Sequence, residues 1–203
     1  MNEILLCGDI EAMPLLSHTN HDREFLTFPL AVRRLSGTYD TLRVIAPASL
    51  CGELGPDVTV SLSGEVRSYN DRAAAHNRLK ISAWARDLRV CQEPHANDVH
   101  LIGTLCKPAI YRRTPFGREI ADMMLCVERA YLTGDLHRHD YIPCIAWGSV
   151  ARMCAALPAR SMIELEGRLQ SRNYIKVLEG KASERTAYEV SIATAQVLDI
   201  PEV

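Results

Sequence analysis

Three aromatic rings and three cations between residues 139 and 176 are the groups best placed to do chemistry in this sequence: Tyr141, Trp147 and Tyr174, with Arg168, Arg172 and Lys176. Side chains alternate across a strand, so Ile142, Cys144 and Ala146 point one way while Tyr141, Pro143, Ile145 and Trp147 point the other. Further on, Ile163, Leu165, Gly167 and Leu169 share a face opposite Arg168, Gln170, Arg172 and Tyr174. One sheet face is therefore expected to be apolar and the other to set flat rings beside guanidinium groups. Unpaired bases stack on rings and phosphates pair with cations, so such a face suits single-stranded nucleic acid.

Catalysis finds no comparable support. The chain has no G-x-S-x-G, H-E-x-x-H or P-loop, and His139 and Asp140, adjacent on a strand, point to opposite faces. We expect a protein that is not an enzyme and carries no cofactor. The seven cysteines are spread along the chain without a C-x-x-C pair, and the paired histidines His18/His21 and His137/His139 lack neighbouring cysteines, so no metal is expected either. Cysteines in this pattern read as buried small hydrophobes in a reducing compartment. The N-terminal residues show no signal-like pattern and no apolar run is long enough to span a bilayer, so a cytoplasmic protein without a membrane partner is expected. Net charge is -2 and pI about 6.4, which does not announce a nucleic-acid binder. Binding would depend on a local concentration of arginines, which both stack on bases and fork onto phosphates.

The elements that must position these residues occur twice. NEILLCGDI from Asn2 matches NDVHLIGTL from Asn97, and EFLTFPLAVRR from Glu24 matches EIADMMLCVER from Glu119. LRVIA from Leu42 then lies on IPCIA from Ile142, VSLSGEV from Val60 on IELEGRL from Ile163, and ISAWARDL from Ile81 on VSIATAQVL from Val190. The offset grows only where loops should sit. We expect two domains, 1–93 and 97–203, joined through the polar stretch around Pro94. In the second copy the strands are expected at 98–107, 118–131, 139–147, 161–174 and 185–198. A helix over 149–157 is capped by Ser149 and stopped by Pro158, and Thr114-Pro115-Phe116-Gly117 forms a turn. The expected fold class is all-β with short helices: two tandem OB-fold, five-stranded Greek-key barrels, with the helix after the third strand.

The second copy resembles the bacterial single-stranded DNA-binding protein family. The residues that carry the resemblance are LIGTL from Leu101, R-x-T-P-x-G over 112–117, YIPCIAWGSVA, IELEGRLQSRNY and YEVSIATAQVL, in the family's order and spacing over about a hundred residues. Pro108 sits one residue earlier than the family's usual proline. Carried over position by position, the family's base-stacking rings fall on Tyr131, Tyr141, Trp147 and Tyr174. Tyr131 shares parity with Met123, Leu125 and Val127, so its outward placement requires a bulge or a strand end. The first copy has Ser36, Thr41 and Pro47 at the matching positions and only Tyr69 near the fourth, so it is degenerate in aromatics. The resemblance implies sequence-independent binding of single-stranded DNA in replication, recombination or repair, in the bacterial cytoplasm at the nucleoid. It also implies a homodimer that gathers four OB domains, with replication or recombination proteins as further partners. The family usually ends in a flexible tail with an acidic tip, whereas this sequence stops at LDIPEV after the last strand, so recruitment through such a tail is not expected.

Phosphate contacts are assigned to Arg168, Arg172 and Lys176 on or beside the ring face and to Lys107, Arg112, Arg113 and Arg118 along its other edge. A secondary path is assigned to Arg33, Arg34, Arg43, Arg67, Tyr69 and Arg72 of the first copy, while Trp84 is expected to be structural. Gly103 and Gly167 read as barrel-curvature glycines. The alternative is an OB-fold protein-interaction module with little intrinsic DNA affinity, similar to small primosomal accessory proteins. The degenerate first copy and the near-neutral charge favour it.

Overall fold

The computed structural model describes residues 1–71, 78–129, 138–178 and 181–198. The first half contains β1 (Asn2–Ile10), β2 (Leu15–Asn20), β3 (Arg23–Arg33), β4 (Tyr39–Pro47), α1 (Ala48–Cys51), β5 (Thr59–Asn70) and β6 (Leu79–Val90). The second contains β7 (Ala96–Leu105), β8 (Ile110–Arg113), β9 (Glu119–Glu128), β10 (His139–Trp147), α2 (Gly148–Ala155), β11 (Met162–Leu178) and β12 (Lys181–Val197). In the first half β1, β5, β6, β4 and β3 pair in a ring, closed by the parallel contact Val44↔Ala83 and by the return of β1 onto β3 at Ile10↔Leu30. The second half repeats the ring, with parallel Cys144↔Val190 and the return Leu105↔Leu125. Each is the five-stranded closed barrel of the OB-fold, with a short helix after the third barrel strand.

Each half has six strand segments where five were expected. Pro14 and Pro108 follow the first barrel strand, and a residue without an N–H cannot extend the ladder. The chain therefore breaks and resumes as β2 or β8, each pairing antiparallel with the next strand as a hairpin arm. Helix α2 starts one residue earlier than expected and has no side-chain cap, with Trp147 rather than Ser149 at the cap position. Gly148, at φ +56°, turns the chain from β10 into this helix, a backbone region that favours glycine. The closing strands also align differently from the sequence match. Gly64 pairs with Ala85 and Gly167 with Ile192, which puts Ile81 opposite Tyr188 in the repeat rather than Val190. The two-residue slip preserves strand parity and so escapes a pattern comparison.

The apolar parity set packs as expected: Ile142, Cys144, Ala146, Ile163, Leu165 and Leu169 are buried in the core. Ile145, placed outward by parity, is buried as well, where it pairs with Ser191 of β12 across the parallel contact. Gly64 and Gly167 occupy matching β-bulges, where the register shifts. A methyl group on Gly167 would overlap the backbone oxygen of Ser191. Backbone cannot yield as a flexible side chain does, so Gly167→Ala is expected to destabilise the protein by about 3 kcal/mol, the upper end of ordinary overpacking. Urea-denaturation midpoints of the two proteins check this.

The two barrels share one twelve-stranded sheet, because β1 and β7 pair antiparallel from Asn2↔Leu101 to Cys7↔Ala96. Strand β7 thus begins at Ala96, two residues before its expected start at 98 and within the stretch expected to join the domains. The junction has an approximate two-fold symmetry that follows the repeat. Asp140 accepts hydrogen bonds from the Ser68 N–H (2.7 Å) and from Arg129 Nε (2.9 Å). Asp40 accepts them from the Ser171 N–H (2.7 Å) and from Arg34 Nε (2.7 Å). Each carboxylate belongs to one barrel and its serine to the other.

Candidate nucleic-acid interface

Strand β10 carries two of the predicted rings outward. Tyr141 is 46% exposed and Trp147 39% exposed, while Ile142, Cys144 and Ala146 between them hold the strand on the core. The backbone of Tyr141 is fixed from behind, since its N–H donates to Ser68 Oγ of the other barrel at 2.8 Å. Trp147 ends the strand at the Gly148 corner, so its ring stands at the rim of the barrel. On β11, Tyr174 is half-buried and the Arg172 guanidinium lies over it, 5.7 Å from the ring centre. Arg172 is exposed and stands 3.5 Å from Glu189, which Gln170 already binds at 2.9 Å. Tyr131, Arg72 and the side chain of Lys176 lie outside the described residues.

Along the other edge, Lys107 and Arg118 are exposed, and among the described residues neither pairs with a carboxylate. Arg118 follows the Thr114–Gly117 turn, whose hydroxyl accepts its backbone N–H at 3.1 Å. Arg112 forks onto Asp122 at 2.7 and 3.3 Å, and this bond raises its already high pKa. Arg113 reaches Glu119 at 3.2 Å, and Arg152 reaches the same carboxylate. The Tyr111 hydroxyl, first, and then these arginines hold Glu119 below the usual carboxylate range. Exposed pairs contribute about 0 to 1 kcal/mol each. Arg112 can therefore exchange its carboxylate for a phosphate at little cost, and if Arg113 leaves the largely buried Glu119, Tyr111 and Arg152 remain on that carboxylate.

Three predicted cations are placed otherwise. Arg67 is only 7% exposed and is paired with Glu65 and Asp140. Burial, and then repulsion from Arg129, pull its pKa down to about 10, so it stays cationic at neutral pH. Arg34 binds Asp40 and donates to the Ser171 carbonyl at 3.0 Å. Arg168 stands 3.5 Å from the same Asp40 and hydrogen-bonds Gln170, with its pKa lowered by burial and then by Arg34. These three guanidinium groups are committed to carboxylates and carbonyls at the junction of the barrels. Of the rest of the secondary path, Arg33 is exposed, and Arg43 donates to the Tyr69 hydroxyl at 2.6 Å with its guanidinium 5.6 Å from that ring's centre.

The first barrel also carries a group of rings that includes no expected site residue. His18 of β2 stacks on Phe25 of β3 (centroids 4.9 Å apart, planes 8° apart), and Phe25 packs against Trp84 of β6 at 4.8 Å. They come from three strands and form no motif. A signal was nevertheless present, because Trp84 alternates with the buried Ile81, Ala83 and Ala85 set and so points away from the barrel core, on the side of Arg86 and of Ser82, which is itself covered. Among the described residues, no group of His, Cys, Asp and Glu could hold a metal and no helix is long and apolar enough to cross a membrane.

The chain is 38% identical over 80 residues to single-stranded DNA-binding protein 2 of Listeria innocua serovar 6a, covering 38% of this chain and 50% of that protein. It is 36% identical over 106 residues to the single-stranded DNA-binding protein of Bacillus cereus, covering 51% of this chain and 60% of that one. The chain thus spans about half the length of these relatives. Among solved structures, the wild-type single-stranded DNA binding protein from Thermus aquaticus superposes with a TM-score of 0.79 over 100% of this chain and 95% of its own, at 17% identity, a likeness of fold. Residues 96–198, the whole second barrel with β10, β11 and their rings, match the sequence model of the Single-strand binding protein family, and by that match over half of its length the chain belongs to this family.

Proposed function

We propose that the protein binds single-stranded DNA without sequence preference, in replication, recombination or repair, as a non-catalytic protein of the bacterial cytoplasm and nucleoid. In this reading 97–203 is the main binding domain and 1–93 the second, and two chains pair to gather four barrels around the strand. The observation that carries it is the exposed pair Tyr141 and Trp147 on a strand otherwise fixed in the core, with Arg172 against Tyr174 beside them. Lys107, Arg112, Arg113 and Arg118 supply the cations of the opposite edge. Arg34, Arg67 and Arg168 are left out of the phosphate path, which shortens it relative to the sequence reading.

The test uses a Trp84→Phe protein, in which Trp147 is the sole tryptophan. Poly-dT at low salt is expected to quench its fluorescence, and the signal should vanish when Trp147→Phe is added. If about four phosphates are neutralised per barrel, log affinity should fall against log salt with a slope of roughly -3. No quenching at low salt refutes the proposal, and a flat salt response refutes the cation assignment. The rival, a protein-interaction module, gains from the three arginines committed to the junction and from the net charge of -2. It predicts no binding of labelled oligo-dT even at low salt.

A further inference from the structure

We infer that the first barrel holds one nucleotide of a single strand in a pocket of its own, built around Trp84 and not at the positions Ser36, Thr41 and Pro47 that match the rings of the second barrel. This rests on the DNA-binding reading above and adds a site to it. A cavity of about 530 Å³ opens on the first barrel where it meets the second, within the range of small-ligand sites. Ile45, Trp84 and His18 line it with Ser82, Arg43 and Tyr69, and Arg129 and Arg138 reach it from the second barrel.

Each wall has a chemical meaning. Trp84 is half-exposed and braced by Phe25, which His18 covers in turn, so a flat face is held in place before any ligand arrives. Stacking on such a face carries little ordering penalty. Ser82 is 1% exposed, and its hydroxyl has no hydrogen-bond partner among the described residues. A buried hydroxyl without a partner is unfavourable, and the polar edge of a base would satisfy it once the wall yields enough to expose it. Among the described residues, the lining includes arginines but no carboxylate. Asp140, just behind, is occupied by Arg67, Arg129 and Ser68. Arg138 is exposed and pairs with no carboxylate among the described residues, while Arg43 is braced on Tyr69. A planar ring, a polar edge and an anion in one compact ligand describe a nucleotide. None of the lining residues is Ser36, Thr41 or Pro47, the positions that match the second barrel's rings, so degeneracy at those positions does not empty the first barrel of binding groups.

The two tryptophans allow each barrel to report on itself. In Trp147→Phe, Trp84 is the sole tryptophan, and an oligo-dT of about five nucleotides, near the lower site size of one OB-fold, is expected to quench it. Arg138→Ala in that background should weaken the apparent affinity about tenfold, as expected for one lost Arg contact. The same change in Trp84→Phe should shift the Trp147 readout by less than about twofold. If the oligonucleotide quenches Trp147 in Trp84→Phe but leaves Trp84 unmoved in Trp147→Phe, the pocket is refuted and the proposed function stands. If neither tryptophan responds, both fall. Unchanged Trp84 affinity in Arg138→Ala and in Arg43→Ala also refutes the pocket. Free dTMP and poly-dT distinguish the source of the nucleotide: quenching of Trp84 by dTMP at concentrations where poly-dT has no effect overturns the assignment to a strand.

Discussion

Changing Tyr141 and Trp147 together to alanine is expected to weaken binding of labelled oligo-dT by roughly 30- to 10⁴-fold, measured by fluorescence anisotropy at fixed salt. Each stacked base contributes about 1 to 3 kcal/mol, so two lost rings remove about 2 to 6 kcal/mol, and every 1.4 kcal/mol is a factor of ten. Both side chains leave the core intact, because Ile142, Cys144 and Ala146 anchor β10 from the other face. The single changes should each lose about tenfold, and their effects should add only if each ring takes its own base. The salt slope separates this from a charge effect: the double variant should keep the wild-type slope, since no phosphate partner is lost, whereas Arg172→Ala should reduce its magnitude by about 0.7. Unaltered affinity in the double variant would remove the ring face from the mechanism.

Much of this interface could be read from the sequence because a strand's side-chain period is two and the core enforces it. The expected and observed limits of β10 coincide at 139 and 147, and the rings on it follow. The same rule placed Arg172 and Tyr174 on one face of β11. Single residues were misread where a second barrel covers the face in question. Arg67 and Arg168 have outward parity on their own strands, but the opposite barrel supplies Asp140 to one and the first barrel supplies Asp40 to the other. Pairing of β1 with β7 leaves no sequence mark, since it joins backbone to backbone and any alternating strand can provide it. The burial of Asp140 did leave one: it shares parity with Ile142 and Cys144, and a carboxylate on a core face needs a partner. Asp40 stands in the same relation to Leu42 and Val44. Two such carboxylates in matching repeats signal a shared structural duty.

That duty makes the junction the second place where one substitution should have a large effect. Asp140→Ala is expected to cost about 3 to 5 kcal/mol of stability, read from urea denaturation. Asp140 is 0% exposed and receives the Ser68 N–H, the Ser68 hydroxyl and two nitrogens of Arg129, with Arg67 at 3.5 Å. Its removal leaves guanidinium charge in a largely dry site, and breaking a buried pair from one side costs about that much. Asp140→Asn should cost less, because the amide oxygen still accepts from Ser68 although the charge is gone. Asp40→Ala should act similarly through Arg34 and Ser171. The two sites are linked by the β1 and β7 ladder, so one sharp transition is expected for each single variant. In the double variant only that ladder and its neighbours hold the barrels in register, and the transition should broaden as the halves unfold separately. A loss below about 1 kcal/mol in Asp140→Ala would mean that the barrels are held by the ladder alone. The arginines of the junction would then be available to a bound strand after all.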